Sequence, residues 1–205
     1  MFTGIVTSTG KVIKITKKGD SIHFHINPSV RNYLCDRKTG DSIAINGACM
    51  TITKLVNTGF EFTTVKESLL KTNLGELKSG SFVNLEKPMK LSASLDGHIV
   101  QGHVDTTAEV YKIKKLKDSW EFFFKFSSEF RKNIIYVGSI SINGISLTIA
   151  EIFKETGNYT VIKTAIIPHT FKVTNFKYLR PGDKVNLEFD MLGKFVMRIL
   201  ENITK

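Results

Sequence analysis

Cysteine is scarce in this chain: only Cys35 and Cys49 occur in 205 residues. Two thiols cannot build the disulfide framework of a small secreted domain, and they exclude a cysteine-rich zinc site. No stretch approaches the roughly 20 apolar residues that a membrane-spanning helix needs. The opening MFTGIVTSTG has no basic start followed by an apolar segment, so it does not read as a signal peptide. The expected location is the cytoplasm, whose reducing conditions argue against a bridge between the two thiols. No cofactor or metal motif stands out, and neither group is expected. Acidic residues are also in deficit, 19 against 29 lysines and arginines, for a net charge of +10. Such an excess can attract nucleic acid or anionic ligands. The lysines are scattered, however (Lys17-Lys18, Lys112, Lys114-Lys115, Lys117), and read as a solvated surface.

What the chain does contain is an internal repeat. Thr72–Glu86 (TNLGELKSGSFVNLE) lies over Thr174–Glu188 (TNFKYLRPGDKVNLE) with eight of fifteen positions identical. Upstream, Asn46–Ile52 (NGACMTI) lies over Asn143–Ile149 (NGISLTI), and Gly4-Ile5-Val6 over Gly102-His103-Val104. The three matches are collinear at offsets of 97 to 102 residues. Chance does not produce that, and fixed-period self-similarity means repeated architecture. Two homologous domains are expected, 1–97 and 98–188, followed by a tail, 189–205.

Each half reads as β structure, with short runs rich in Ile, Val, Phe and Thr between Gly, Asn and Asp signals. The spacing suits a small antiparallel barrel or sandwich. The Asn-Gly pairs at 46–47 and 143–144 suit tight turns. Residues 67–74 and 168–176 read equally as short helices or extended turns. In the tail, Leu192, Phe195, Val196, Ile199, Leu200 and Ile203 recur at helical spacing and make one apolar stripe. The pattern alone leaves two uses for it, docking on its own barrels or subunit assembly.

MFTGIV, NGACMTI, KESLLKTNLGELKSGSFVNLE, GHIVQGHVDTTAEV and NGISLTI stand in this order, and over essentially the whole chain the sequence resembles the α-chain type riboflavin synthases. That resemblance implies an all-β fold of two six-stranded Greek-key barrels with a C-terminal α-helix. It implies a homotrimer held largely by those helices, which favours assembly as the use of the stripe. It places each active site between the N-terminal barrel of one subunit and the C-terminal barrel of a neighbour. The substrates are then two molecules of 6,7-dimethyl-8-ribityllumazine, in two similar facing pockets, and no cofactor is called for. Lumazine synthase is an expected partner; nucleic acid and membrane are not.

For this chemistry the protein supplies proximity, orientation and proton handling. His103 is the first candidate for proton transfer, because imidazole titrates near neutrality and GHV replaces the GIV of the first half. Cys49 and Ser146 occupy equivalent positions, as do Thr51 and Thr148; Cys49, Ser146 and Thr148 join His103 as catalytic candidates, by polar contact or transient addition at C7. The resemblance maps substrate contacts onto Gly4, Ile5, Val6, Cys49, Met50, Thr51, Thr63, Thr64, Val65, Lys66, Glu67 and Ser68 in the first half. In the second half it maps them onto Gly102, His103, Val104, Ser146, Leu147, Thr148, Ala165, Ile166, Ile167, Pro168, His169 and Thr170. Phe2 either packs near the site or fills a core, and Ser42 is a weaker candidate.

Three positions depart from the family pattern. Val137 stands where some members have Lys, Asn143 where they have Asp, and His169 where Glu is common. A charge that could hold the ribityl chain or assist proton transfer is then missing at the first two. Two rival readings follow from the residues. One is a non-catalytic lumazine- or flavin-binding relative, which would lack an intact GHV and NGISLTI. The other is a nucleic-acid-binding barrel, against which Phe122–Phe124 and Phe126 read as a core strand.

Overall fold

The computed structural model describes residues 1–90 and 92–203. Among these, twelve strands close two antiparallel barrels. The first comprises β1 (Ser8–Lys18), β2 (Ser21–Pro28), β3 (Ser42–Ile45), β4 (Ala48–Val56), β5 (Gly59–Thr64) and β6 (Phe82–Glu86), in ring order β1-β2-β5-β4-β3-β6. The second comprises β7 (Thr106–Lys115), β8 (Trp120–Ser127), β9 (Ser139–Ile142), β10 (Ile145–Glu155), β11 (Tyr159–Ile166) and β12 (Lys184–Phe189), in order β10-β11-β8-β7-β12-β9. Read the other way round, the second ring repeats the first, and the jump from β2 to β5 makes each a Greek key. The expected boundary at 97/98 falls in the connection between the barrels. Phe189, assigned to the tail by sequence, is the buried last residue of β12. Thr204 and Lys205 lie outside the described residues.

Alternation fills each barrel. Phe24 and Ile26 on β2 and Phe60 and Phe62 on β5 point inward, with Phe24 and Phe62 stacked at 4.8 Å. Phe122, Phe124 and Phe126 of β8 fill the second barrel, as their strand pattern predicts. Burying each such side chain contributes about 1.5–3 kcal/mol. Bulges bend the long strands at matching places, between Val12 and Lys14 on β1 and between Val110 and Lys112 on β7. The two undecided segments are helical. Lys66–Lys71 (α1) and Pro168–Val173 (α2) each lead into a 3-10 turn that plugs a barrel with Leu74 or Phe176.

The barrels meet at their Asn-Gly turns. Asn46 and Asn143 have φ of 46° and 47°, and Gly47 and Gly144 of 79° and 78°. A Cβ on either glycine would lie 2.7 Å from the other's amide nitrogen, so the turns pack back to back. Around them the asparagines of two of the repeat blocks, Asn46, Asn73 and Asn84 with Asn143, Asn175 and Asn186, interlock. Asn73 N donates to Asn186 Oδ1 at 2.6 Å, and its counterpart Asn175 N donates to Asn84 Oδ1 at 2.7 Å. Asn186 Nδ2 donates to the Asn46 carbonyl and Asn84 Nδ2 to that of Asn143, at 2.8 and 2.9 Å. Each bond nets only about 1 kcal/mol, so the apolar interiors hold the barrels while these bonds set how they dock.

The tail forms α3 (Met191–Ile203). Its stripe is not docked on the barrels among the described residues: Leu192, Phe195, Val196, Ile199 and Ile203 are all exposed, Ile203 by 73%. Of the two uses left open by sequence, self-docking is thereby removed. No helix of the described residues is long and apolar enough to cross a membrane.

Candidate active site

Two arms outside the barrels carry the GIV and GHV blocks. They run antiparallel: Phe2 N donates to the Val100 carbonyl at 2.7 Å, Val100 N returns a bond to Phe2 at 3.1 Å, and His98 N donates to Thr3 at 3.2 Å. A buried carboxylate ties each arm to the last strand of its own barrel. Glu86 accepts from Thr3 N (2.7 Å), Thr3 Oγ1 (2.9 Å) and Gly4 N (3.2 Å). Glu188 accepts from Gln101 N (2.6 Å) and Gly102 N (2.9 Å). Burial pushes both carboxyls above the usual Glu range, and these bonds oppose the shift.

Each arm then lies against the other barrel. The Gly4 carbonyl accepts from Ser146 N, and the Gly102 carbonyl from Cys49 N, both at 2.8 Å. A Cβ on Gly4 would sit 2.6 Å from that of Ser146, and one on Gly102 2.6 Å from that of Cys49. Glycine alone permits this approach. Val6 packs against the second core and Val104 against the first. In space Gly4–Val6 stands with Ser146, and Gly102–Val104 with Cys49.

Around the first barrel this assembles a cavity of about 200 Å³. It gathers Cys49 and Met50 from β4, Glu67 and Ser68 from α1, and Gly102-His103-Val104 from the arm; Lys71 and Thr72 complete it. Cys49 rests on a small apolar cluster of Phe2, Ala44 and Val100. Phe2 thus both fills a core and backs the site. Thr51 is exposed on the outer face opposite Ser42. Thr63 Oγ1 bonds His23 Nδ1 at 2.8 Å on that outer face. Val65 and Lys66 are exposed at the head of α1. Thr64 is buried inside the barrel, its Oγ1 donating to the Val65 carbonyl at 3.3 Å.

The second barrel presents hydroxyls instead. Ser146 and Thr148 on β10 stand opposite Ser141 and Ser139 on β9. His98 Nδ1 lies 2.7 Å from Ser146 Oγ. Burial lowers the His98 pKa, with Asp190 pulling it back up. A neutral imidazole here can accept the serine proton and make that oxygen more basic. Ile5 and Val6 of the first arm lie alongside, Ile5 exposed. Ala165, Ile167, Pro168 and His169 are exposed and Thr170 half-buried. Two placements differ from expectation. Ile166 is fully buried in the second core, and Leu147 is half-buried against it. Strand alternation turns these two side chains inward.

The departures also resolve in space. Asn143 is fully buried, and its Oδ1 accepts from Asn186 N at 2.8 Å and Asn73 Nδ2 at 3.2 Å. It docks the barrels, so the expectation of a missing ligand-holding charge there is corrected. Val137 is exposed with φ of 62°, where its counterpart Gly40 has 94°. Both donate their N–H to the equivalent strand, to Ile149 and Ile52. A β-branched residue in this region stores about 1–3 kcal/mol, two residues from Ser139. Sequence reading missed His98, Ser139, Ser141, Glu86, Glu188, Lys71 and Thr72. The paired VNLE strings and the alignment of Ser139 with Ser42 carried a signal for some of them; the contact of His98 with Ser146 carried none.

The lumazine binding domain family model matches the chain twice, at residues 3–88 and 101–190. A riboflavin synthase of Actinobacillus pleuropneumoniae is 40% identical over 98% of this chain and 90% of its own length. That of Escherichia coli is 37% identical over 99% and 93%. Among solved structures, LumP complexed with 6,7-dimethyl-8-(1'-D-ribityl) lumazine superposes with a TM-score of 0.82 at 26% identity, covering 92% of this chain and 99% of that one. With two lumazine binding domains and near-full-length likeness to these enzymes, the chain belongs to the riboflavin synthase family.

Proposed function

We propose that the protein dismutates two molecules of 6,7-dimethyl-8-ribityllumazine by four-carbon transfer, giving riboflavin and 5-amino-6-(ribitylamino)uracil. The atoms of the two substrates equal those of the two products, so no external oxidant or reductant enters. The observation that carries this reading is the pair of related but unlike half-sites, each made of one barrel and the arm tied to the other. Two identical molecules need similar pockets, and opposite roles need them to differ.

The geometry supports the following roles. Neutral, buried His98 takes a proton through Ser146 in the second half-site. His103, on the arm above Cys49, exchanges a proton in the first. Positioned proton transfer of this kind contributes about 10²–10⁴-fold, and holding the two rings together contributes more. The first cavity, about 200 Å³, is smaller than the roughly 300–1,000 Å³ of usual ligand pockets. A neighbouring subunit is proposed to close it, first barrel against second, in a homotrimer bound through the exposed stripe of α3. The cytoplasm, where Cys35 and Cys49 stay free, is the proposed location.

The test is to supply the lumazine alone and follow product. Riboflavin should accumulate at half the lumazine consumed, and His103→Ala should lower the rate at least tenfold with the fold intact. Lumazine binding without riboflavin would make the protein a carrier instead. Unchanged turnover in His103→Ala would remove that residue from the mechanism.

A further inference from the structure

Helix α3 does more than present an apolar stripe. Its first turn grips the arm that carries His98 and His103. Lys194 Nζ bonds both oxygens of Asp105, at 3.1 and 3.0 Å. Asp105 Oδ2 also accepts from Phe189 N at 2.8 Å, and Asp105 N donates to the Leu187 carbonyl at 2.9 Å. On the other side of His103, Glu188 holds Gln101 and Gly102. His103 is therefore the middle of a five-residue span fixed at both ends. One end is fixed by the last strand alone, and the other by the last strand and the helix together.

Among the described residues the first arm carries no matching ion pair. The counterpart of Asp105 is Thr7, whose Oγ1 meets the Tyr33 hydroxyl at 2.8 Å and whose N donates to the Leu85 carbonyl at 3.1 Å. The ion pair is also better placed than most on this surface. Lys194 and Asp105 are 28% and 21% exposed, against 71% and 55% for Arg198 and Glu201 on the same helix. A partly shielded, two-oxygen contact resists screening that weakens an exposed pair. Asp190, which receives the Leu192 N–H and so opens the helix, acts electrostatically on His98. Both imidazoles of the arm thus answer to the first turn of α3.

We infer that Lys194 is a positioning residue, latching the His103 arm to α3 through Asp105 so that the placement of the helix sets the placement of the catalytic arm. This rests on the proposed role of His103. Seating the helix stripe against other subunits then also fixes the proton-transfer group, and a chain with an unseated helix has a loose arm.

Three variants of the full-length protein test the latch: Lys194→Met, which keeps the aliphatic stem, Lys194→Arg, which keeps the charge, and Arg198→Met as a control on the same helix. Amide hydrogen exchange reads the arm directly and does not depend on activity. Lys194→Met should speed exchange at residues 101–105 about tenfold while particle size stays that of the wild type. Lys194→Arg and Arg198→Met should leave exchange within twofold. In the lumazine assay Lys194→Met should lower kcat at least fivefold with KM within twofold, and Lys194→Arg should recover most of it. Unaltered exchange at 101–105 in Lys194→Met overturns the latch, whatever the activity. Faster exchange with unchanged kcat, beside an inactive His103→Ala, overturns the link to catalysis. Faster exchange beside a fully active His103→Ala leaves the latch standing and overturns the role of His103.

Discussion

Gly102→Ala tests the exchange of arms most sharply. With φ at 83°, an L side chain at Gly102 costs about 1–2 kcal/mol in backbone strain. The new Cβ would lie 2.6 Å from the Cys49 Cβ and 3.0 Å from the Phe2 ring, and overpacking of that kind costs about 1–3 kcal/mol. The sum is about 2–5 kcal/mol. For a chain of this size each kcal/mol moves Tm by about 2–4 °C, so a fall of about 4–20 °C is expected at fixed protein concentration. Cys49→Gly removes the nearest clash but not the φ strain. The double variant Gly102→Ala/Cys49→Gly should therefore show a favourable coupling of about 1–2 kcal/mol in a double-mutant cycle. Ser146→Gly, at the equivalent position of the other barrel, should show none with Gly102→Ala and should couple with Gly4→Ala. Simple additivity of Gly102→Ala with Cys49→Gly, or rescue by Ser146→Gly, would refute the arrangement.

Other outcomes follow from the same geometry. His98 has a folded-state pKa below its unfolded value, so as pH falls below about 6.5 the unfolded chain takes up a proton that the folded one resists, and stability drops. In denaturant titrations from pH 7.5 to 5, His98→Gln should flatten that part of the slope; an identical slope would show that His98 is not held neutral. Glu188 has the opposite shift: its folded pKa is raised, so its contribution to stability declines as pH rises above about 4.5. Glu188→Gln should accordingly lose most stability relative to wild type near pH 4.5 and less near pH 7, a trend whose reversal would contradict the buried-carboxylate account. Phe195→Glu together with Ile199→Glu, on the exposed stripe of α3, should yield smaller particles by light scattering. Particles of unchanged size would remove α3 from assembly.

The duplication was legible because identical residues do identical work. The asparagines of NG, TN and VNLE all converge on the contact between barrels. Strand character was legible from alternation, which also explains why Thr64 and Ile166 face inward despite standing in blocks matched to the site. The short helices α1 and α2 were not decidable, since six residues are less than two turns and carry no clear period. The exchange of arms was hidden for a different reason. Order along the chain places GIV before the first barrel, but which barrel it lies against depends on a Gly carbonyl meeting Ser146 N in space. His98 escaped notice because its partner Ser146 is 48 residues away. The stripe of α3 was visible, and only the fold showed that its own barrels leave it uncovered.

Unlike half-sites from two different chains are proposed to act together, and co-assembly tests this. His103→Ala and Ser146→Ala chains are each prepared alone, then dissociated, mixed and reassembled, and riboflavin formation from the lumazine is followed. Each variant alone should run at under a tenth of the wild-type rate. The mixed assemblies should regain activity, because some sites then combine an intact His103 cavity with an intact His98–Ser146 face. Mixtures no more active than their parents, with mixed assembly verified by mass, would contradict a site shared between chains.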